Sequence, residues 1–270
     1  MNNNFSVIKD IPYGEHERQK FDIYIPENPY NKSGVILLIH GGGWSNGDKS
    51  DYKNEAEFYA SSGYICVTIN YRFVSENINV FHELGDITSA LSTIKEKCEE
   101  CGFNIKNTIL IGASAGAHLS LLYAYTRKNA SPVTPVAVGA FCPPVNCWAE
   151  NFLMGIKGEF EDWKYDVLSK CCGVKITKDT LLNETQQKAL EKMSPQIYVS
   201  KECVPTAVFQ GVLDELVPFE YAEIFIDSLT KAGVKNDFLV YENSGHALDK
   251  DPDKTDESRR IILDYVKMYF

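Results

Sequence analysis

Short, continuously apolar runs rich in β-branched residues recur along the 270-residue chain, and stretches of helical periodicity separate them. The runs predict strands near Phe5–Lys9, Phe21–Ile25, Gly34–Ile39, Tyr64–Asn70, Thr108–Ile111, Val136–Phe141, Thr206–Gln210 and Phe238–Glu242. Runs such as VILLI and VAVGAF do not alternate with polar residues, the pattern of strands buried on both faces of a mostly parallel sheet. Between them, Asp51–Ser62, His82–Cys101, Gly116–Lys128 and Phe219–Ala232 read as helices, with Thr255–Tyr269 closing the chain. The expected architecture is α/β: a mostly parallel eight-stranded sheet with helices on both faces, in a single domain over residues 1–270. Residues from about 143 to 194 break the alternation. They are rich in Trp, Cys, Lys and Glu and weakly periodic, and too long for bare loop. A partly helical cap over one end of the sheet is expected there, with a crossover helix on long flanks as the alternative.

Composition narrows the function classes. A 44% hydrophobic share gives a globular core, and a net charge of −10 argues against nucleic acid and anionic membrane surfaces. The start, MNNNFSVIKD, lacks the basic and apolar regions of a signal peptide, and no apolar run reaches the length of a membrane span. The eight cysteines form no recognisable disulfide framework, and the lone CxxC at Cys98 and Cys101 has no second pair for zinc. The expectation is a reduced cytoplasmic protein, with no nucleic acid or membrane as partner and no zinc at the CxxC.

Candidate chemistry follows the strands. After Thr108–Ile111 comes GASAG, Gly112 to Gly116, and then a helix. Strand, G-x-S-x-G and helix form the context of a nucleophile elbow, which makes Ser114 the candidate nucleophile. A serine hydroxyl needs a base. Of five histidines, only His246 both follows a strand's carboxyl end and comes last in chain order. His40 reads as a brace for the glycines beside it, and His118 as a structural histidine. The base needs an acid to orient it. Asp214, in the loop GVLDELVP after Thr206–Gln210, is the candidate, with Glu215 next to it as the fallback. Acyl transfer also needs donors for an oxyanion. The backbone N–H of Ala115 suits one, and the triple glycine of LLIHGGGWSNGDKS suits the others, at Gly42 and Gly43, where a side chain would block close approach.

Together these pieces resemble the α/β-hydrolase superfamily, in the esterase/lipase group that carries an HGGG motif. The residues that carry the resemblance are HGGGW at His40–Trp44, GASAG, the LDELVP loop and SGH ending at His246. NYRF at Asn70–Phe73 and Asp86 in the next helix agree with it. HGGGW followed by GDK is similar to small acetyl esterases, including acetyl-xylan and feruloyl esterases. HGG-x-W also occurs in kynurenine formamidases. The resemblance implies a cofactor-free serine carboxylesterase for short acyl groups, acetyl first, with formamidase or amidase chemistry on the same triad as the alternative. A non-catalytic binding module is the third reading. Trp44 and Trp148, with Phe152 and Trp163, are the candidate pocket aromatics, and for each of them packing in the core is an equal alternative. One departure stands out: the residues leading to the acid are Gln210 and Gly211, where the group has histidine and glycine.

Overall fold

A computed structural model describes residues 4–149, 152–153, 155–158 and 161–270. All eight expected strands are present: β1 Phe5–Pro12, β2 Lys20–Pro26, β3 Gly34–Ile39, β4 Cys66–Ile69, β5 Asn107–Ala113, β6 Thr134–Phe141, β7 Thr206–Gly211 and β8 Asn236–Tyr241. They form one sheet in the order β1-β2-β4-β3-β5-β6-β7-β8. The first two strands are antiparallel to their neighbours, and β4, β3 and β5 through β8 run parallel.

The unbroken apolar runs have a direct cause. Along β3, Val35, Leu37 and Ile39 face one core, and Ile36 and Leu38 face a second. The first core is covered by helices α2 Val80–Glu100, α3 Ala115–Arg127 and α6 Phe219–Lys231. The second is covered by α1 Lys53–Ser61 and α7 Pro252–Tyr269. Successive residues point to opposite faces, so both must be apolar when both faces are covered.

Helix boundaries move by a few residues, each for a local reason. A 3₁₀ turn over Lys49–Tyr52 precedes α1, and Asp48 caps it by accepting from Ser50. The Asn79 side chain accepts from the N–H groups of Phe81 and His82, which starts α2 at Val80. Pro252 opens α7, at a position where its missing N–H costs nothing.

The stretch 143–194 holds α4 Glu161–Cys172 and α5 Glu184–Lys192, and no strand among its described residues. Residues 150, 151, 154, 159 and 160 of that stretch lie outside the description. Its backbone is pinned to the loop after β7, where the N–H groups of Leu153 and Gly155 donate to the carbonyls of Leu216 and Glu215 at 2.8 and 2.6 Å. Val167, Leu168 and Cys171 of α4 join the first core. Among the described residues, no helix is long and apolar enough to cross a membrane.

Candidate active site

The parallel order places the loops after β3, β5, β7 and β8 at one edge of the sheet. The chain goes from β3 outward to β4 and then returns to β5 on the other side, so β3 and β5 flank a switch point where open sheets leave a crevice.

Ser114 sits between β5 and α3 with φ +52° and ψ −121°. A side chain rarely adopts that region, and holding one there costs on the order of 1–3 kcal/mol. Surrounding bonds fix it: the Ser114 N–H donates to the Phe141 carbonyl at 2.8 Å, and its own carbonyl accepts from His118 at 3.0 Å. The turn also needs a bare residue at Gly116, where a Cβ would stand 2.0 Å from the Ile39 carbonyl oxygen. The Ser114 turn is thereby seated directly on the end of β3.

His246 follows β8. Its Nδ1–H donates to Asp214 Oδ2 at 2.8 Å, and its Nε2 accepts from the Ser114 hydroxyl at 2.9 Å. Ser114, Asp214 and His246, three residues far apart in sequence, are thus joined in one hydrogen-bonded line. Burial would push the Asp214 carboxyl up. The hydrogen bonds from His246 and from the N–H groups of Val217 and Leu216 outweigh it and hold the pKa below its ordinary value. Asp214 therefore stays ionised and available to an imidazolium. Glu215 plays no part in the line; its carbonyl receives Gly155.

Gln210, the departure from the expected histidine, completes the acid's setting. Its side-chain amide donates to Asp214 Oδ2 at 2.9 Å and to the Val217 carbonyl at 3.0 Å. Two acceptors fix which way the amide points. Sequence reasoning flagged this position only as an oddity, because the contact depends on how the loop after β7 folds back. Cys142 went unnoticed. It closes β6 with φ +46°, and burial first, then the Asp214 carboxylate, pushes its thiol pKa up, so it presents S–H to the acid. Cys142, Asp214 and His246 bring potential ligand atoms within 4.8 Å of one another. A metal there would take the Nδ1 and carboxylate oxygen that now bond each other, dismantling the line to Ser114.

The glycine loop follows β3. Gly42 has φ +108°, and a Cβ on it would stand 2.2 Å from the Asn46 carbonyl oxygen. Among the described residues, nothing accepts from the backbone N–H of Gly42, Gly43 or Ala115. His40 braces this loop. Its Nδ1–H donates to the Gly41 carbonyl at 2.7 Å, Arg18 donates to its Nε2 at 3.2 Å, and its ring stacks on Tyr71 with centroids 4.4 Å apart. Burial lowers its pKa to about 4, so it is a neutral strut and no base. The Tyr71 hydroxyl holds the His40 carbonyl at 2.9 Å, and Asn70 clasps the far end of the loop by donating to Asp48 at 2.7 Å. Arg72 in turn forms a bidentate pair with the buried Asp86. The NYR segment and Asp86 are thus the loop's fastening.

The structure divides the candidate pocket aromatics between core and site. Trp44 is buried, and its Nε1–H donates to His118 Nδ1 at 3.1 Å, while His118 Nε2–H donates to the Met193 carbonyl at 2.6 Å. A ring committed to that line is a pillar of the core and offers no face to a substrate. Trp148 is half-buried against the first core and does not line the cavity at Ser114. Of these candidates Trp163 stands against the glycine loop: its ring would lie 3.0 Å from a Cβ on Gly43, and with Gly42, Ser45 and Lys157 it lines an open cleft. Adjacency to the glycines along the chain favoured Trp44, but a left-handed turn at that residue sends its ring inward.

The family model BD-FAE matches residues 21–229, about three quarters of the chain. The chain belongs to the BD-FAE family. In this BD-FAE protein the matched stretch takes in the glycine loop, Ser114 and Asp214, and His246 lies beyond it. Esterase B from Lactobacillus rhamnosis shares the fold with a TM-score of 0.76 at 17% identity, over 98% of this chain and 87% of that one. Esterase 2 of Thermogutta terrifontis does so with a TM-score of 0.69 at 20% identity, over 97% of this chain and 91% of that one. These likenesses establish the α/β-hydrolase fold. A probable isoprenylcysteine alpha-carbonyl methylesterase of Oryza sativa subsp. japonica is 24% identical across 89% of this chain and 58% of its own length. A non-reducing polyketide synthase, atr1 of Stereocaulon alpinum, is 24% identical across 79% of this chain and 11% of its own length. The BD-FAE chain therefore spans well under two thirds of the curated relatives it matches.

Proposed function

We propose that this BD-FAE protein is a serine carboxylesterase that hydrolyses esters of short acyl groups, acetyl first. The observation that carries the reading is the hydrogen-bonded line from Ser114 through His246 to Asp214 at 2.9 and 2.8 Å. In the mechanism, Ser114 Oγ attacks the ester carbonyl while His246 Nε2 takes its proton, and ionised Asp214 stabilises the imidazolium. The developing oxyanion rests on the unengaged N–H groups of Gly42, Gly43 and Ala115, the last at the positive end of α3. His246 then protonates the departing alcohol, and afterwards draws a proton from the water that attacks the acyl-enzyme. Regenerated Ser114 closes the cycle with no cofactor needed.

The names of the methylesterase relatives and esterase structures agree with this chemistry. We read the 143–194 stretch as a cap within a single catalytic domain, since it is tied to the acid loop and sets Trp163 against the glycine loop. All eight cysteines are free, which favours a reducing compartment such as the cytoplasm.

A panel of p-nitrophenyl esters of increasing acyl length, run beside an N-formyl arylamine, tests the reading. Turnover of the acetate above the longer esters and the formamide is expected, with Ser114 labelled by a fluorophosphonate and the label lost in Ser114→Ala. A preference for long chains refutes the acyl assignment, and faster formamide turnover moves the reading to a formamidase. A folded protein whose Ser114 takes no label is no serine hydrolase.

A further inference from the structure

Besides the cleft at Trp163, a second hollow reaches the site from the opposite face of the sheet. It is a cavity of about 370 Å³ between the sheet, α1 and α7, and Ser114, His246 and Leu248 are among the residues that line it. Leu38, Ile111, Phe141 and Tyr241 supply an apolar wall. Glu55 of α1 and Arg259 of α7 also line it, joined by a bidentate pair at 2.5 and 3.1 Å, with the guanidinium over the Phe58 ring. Tyr52, in the same wall, keeps its hydroxyl buried with no hydrogen-bond partner among the described residues.

On the esterase reading above, which this inference rests on, the leaving oxygen must lie against His246 Nε2. The alcohol arm therefore departs on the side of the site that His246 and Leu248 wall. We propose that this cavity binds the alcohol arm of the substrate, and that it selects an apolar arm ending in an uncharged hydrogen-bonding head group at the Glu55–Arg259 pair. The physical basis is symmetric. An anionic head meets Glu55 and a cationic head meets Arg259, so each charged head faces a like charge. A hydroxyl or amide can accept from the guanidinium and donate to the carboxylate, and is opposed by neither. The middle of the arm is matched to the aliphatic and aromatic wall.

Four acetate esters of five-carbon alcohols test this: one ending in methyl, one in hydroxyl, one in carboxylate and one in ammonium, with kcat/KM read from acetate release. The wild-type protein is expected to favour the hydroxyl-ended ester over both charged esters by about tenfold, the scale of a partly exposed like-charge contact. Glu55→Gln leaves Arg259 with only the exposed Asp256, at 3.6 Å, and is expected to raise the carboxylate-to-hydroxyl ratio about tenfold; Arg259→Gln is expected to do the same for the ammonium-to-hydroxyl ratio. Should one variant fail to fold, the other and the wild-type ratios still decide. Ratios unchanged in a folded variant, or a wild-type protein indifferent to the head group, overturn the proposal. So does head-group discrimination seen only when the substituent is moved to the acyl side. Acetate release without discrimination sinks this inference alone. Absence of release from every ester sinks the esterase reading along with it.

Discussion

The loop of glycines after β3 and the long stretch between β6 and β7 both border the site, and they are built in opposite ways. The glycine loop is short and held at every turn: His40 inside it, Tyr71 and Asn70 beside it, and the Arg72–Asp86 pair behind them. Among its described residues, the 143–194 stretch meets the same edge through backbone bonds to the loop after β7 and through the ring of Trp163. Charge stabilisation needs donors fixed to fractions of an ångström before the reaction begins. Choosing among substrates needs only a shaped wall, which different sequences can supply. Position is demanded of the first region, and only shape of the second.

Changes in the two regions should therefore differ in kind as well as size. The largest effect is expected for Gly42→Ala, which puts a methyl group on the Asn46 carbonyl and strains a φ of +108°. Misplacing the donors should lower kcat by about 10²–10³ with little change in KM, as steady-state kinetics on an acetate ester will read. An equal loss through KM alone would mean that the loop binds substrate without stabilising charge.

Next comes a pH effect on stability that involves both regions, since His40 braces the loop and His118 holds the end of the 143–194 stretch at Met193. Burial lowers both pKa values to about 4, so in the range between that value and the unfolded one the unfolded chain binds more protons. Stability is then full above the unfolded pKa of about 6.5 and declines as pH falls toward 4, by about 2 kcal/mol per histidine at pH 5. The depressed carboxyl of Asp214 adds a loss of the same sign at lower pH. Urea denaturation at pH 7 and pH 5 measures the drop, and His118→Gln should remove about half of the histidine part. An undiminished drop in that variant would place the titration elsewhere.

Smaller still is the expected effect of Gln210→Leu. It removes the amide donor from Asp214 at nearly constant volume, and should cost about tenfold in kcat through the acid's orientation. The smallest effect belongs to the other region: Trp163→Ala should shift KM by only a few fold, with the shift differing among esters and kcat on acetate held. A large uniform loss of kcat there would abolish the distinction between the two regions.

The same distinction governs what could be read from the chain. The eight strands were legible because burial on both faces forces unbroken apolar runs, and such runs survive any detail of packing. The meeting of Ser114, Asp214 and His246 is legible because each stands at a strand's carboxyl end. The choice between pocket and core for Trp44 is not legible, because its destination depends on His118, 74 residues away. Gln210 and Cys142 meet the acid only after β6 and β7 pair, so no local pattern announces them. The cavity behind α1 and α7 is likewise formed by residues from both ends of the chain.

The bond from Trp44 to His118 and on to Met193 has a consequence for how such a protein can change. The chain departs from the sheet after β6, and it is tied back at Met193 to the helix that follows Ser114. Departure and return are fixed addresses, so what lies between them can be lengthened, shortened or rewritten at a loop-closure cost that grows only slowly with length. On the proposed esterase reading, substrate choice can then drift from one descendant to the next while the line from Ser114 to Asp214 stays as it is.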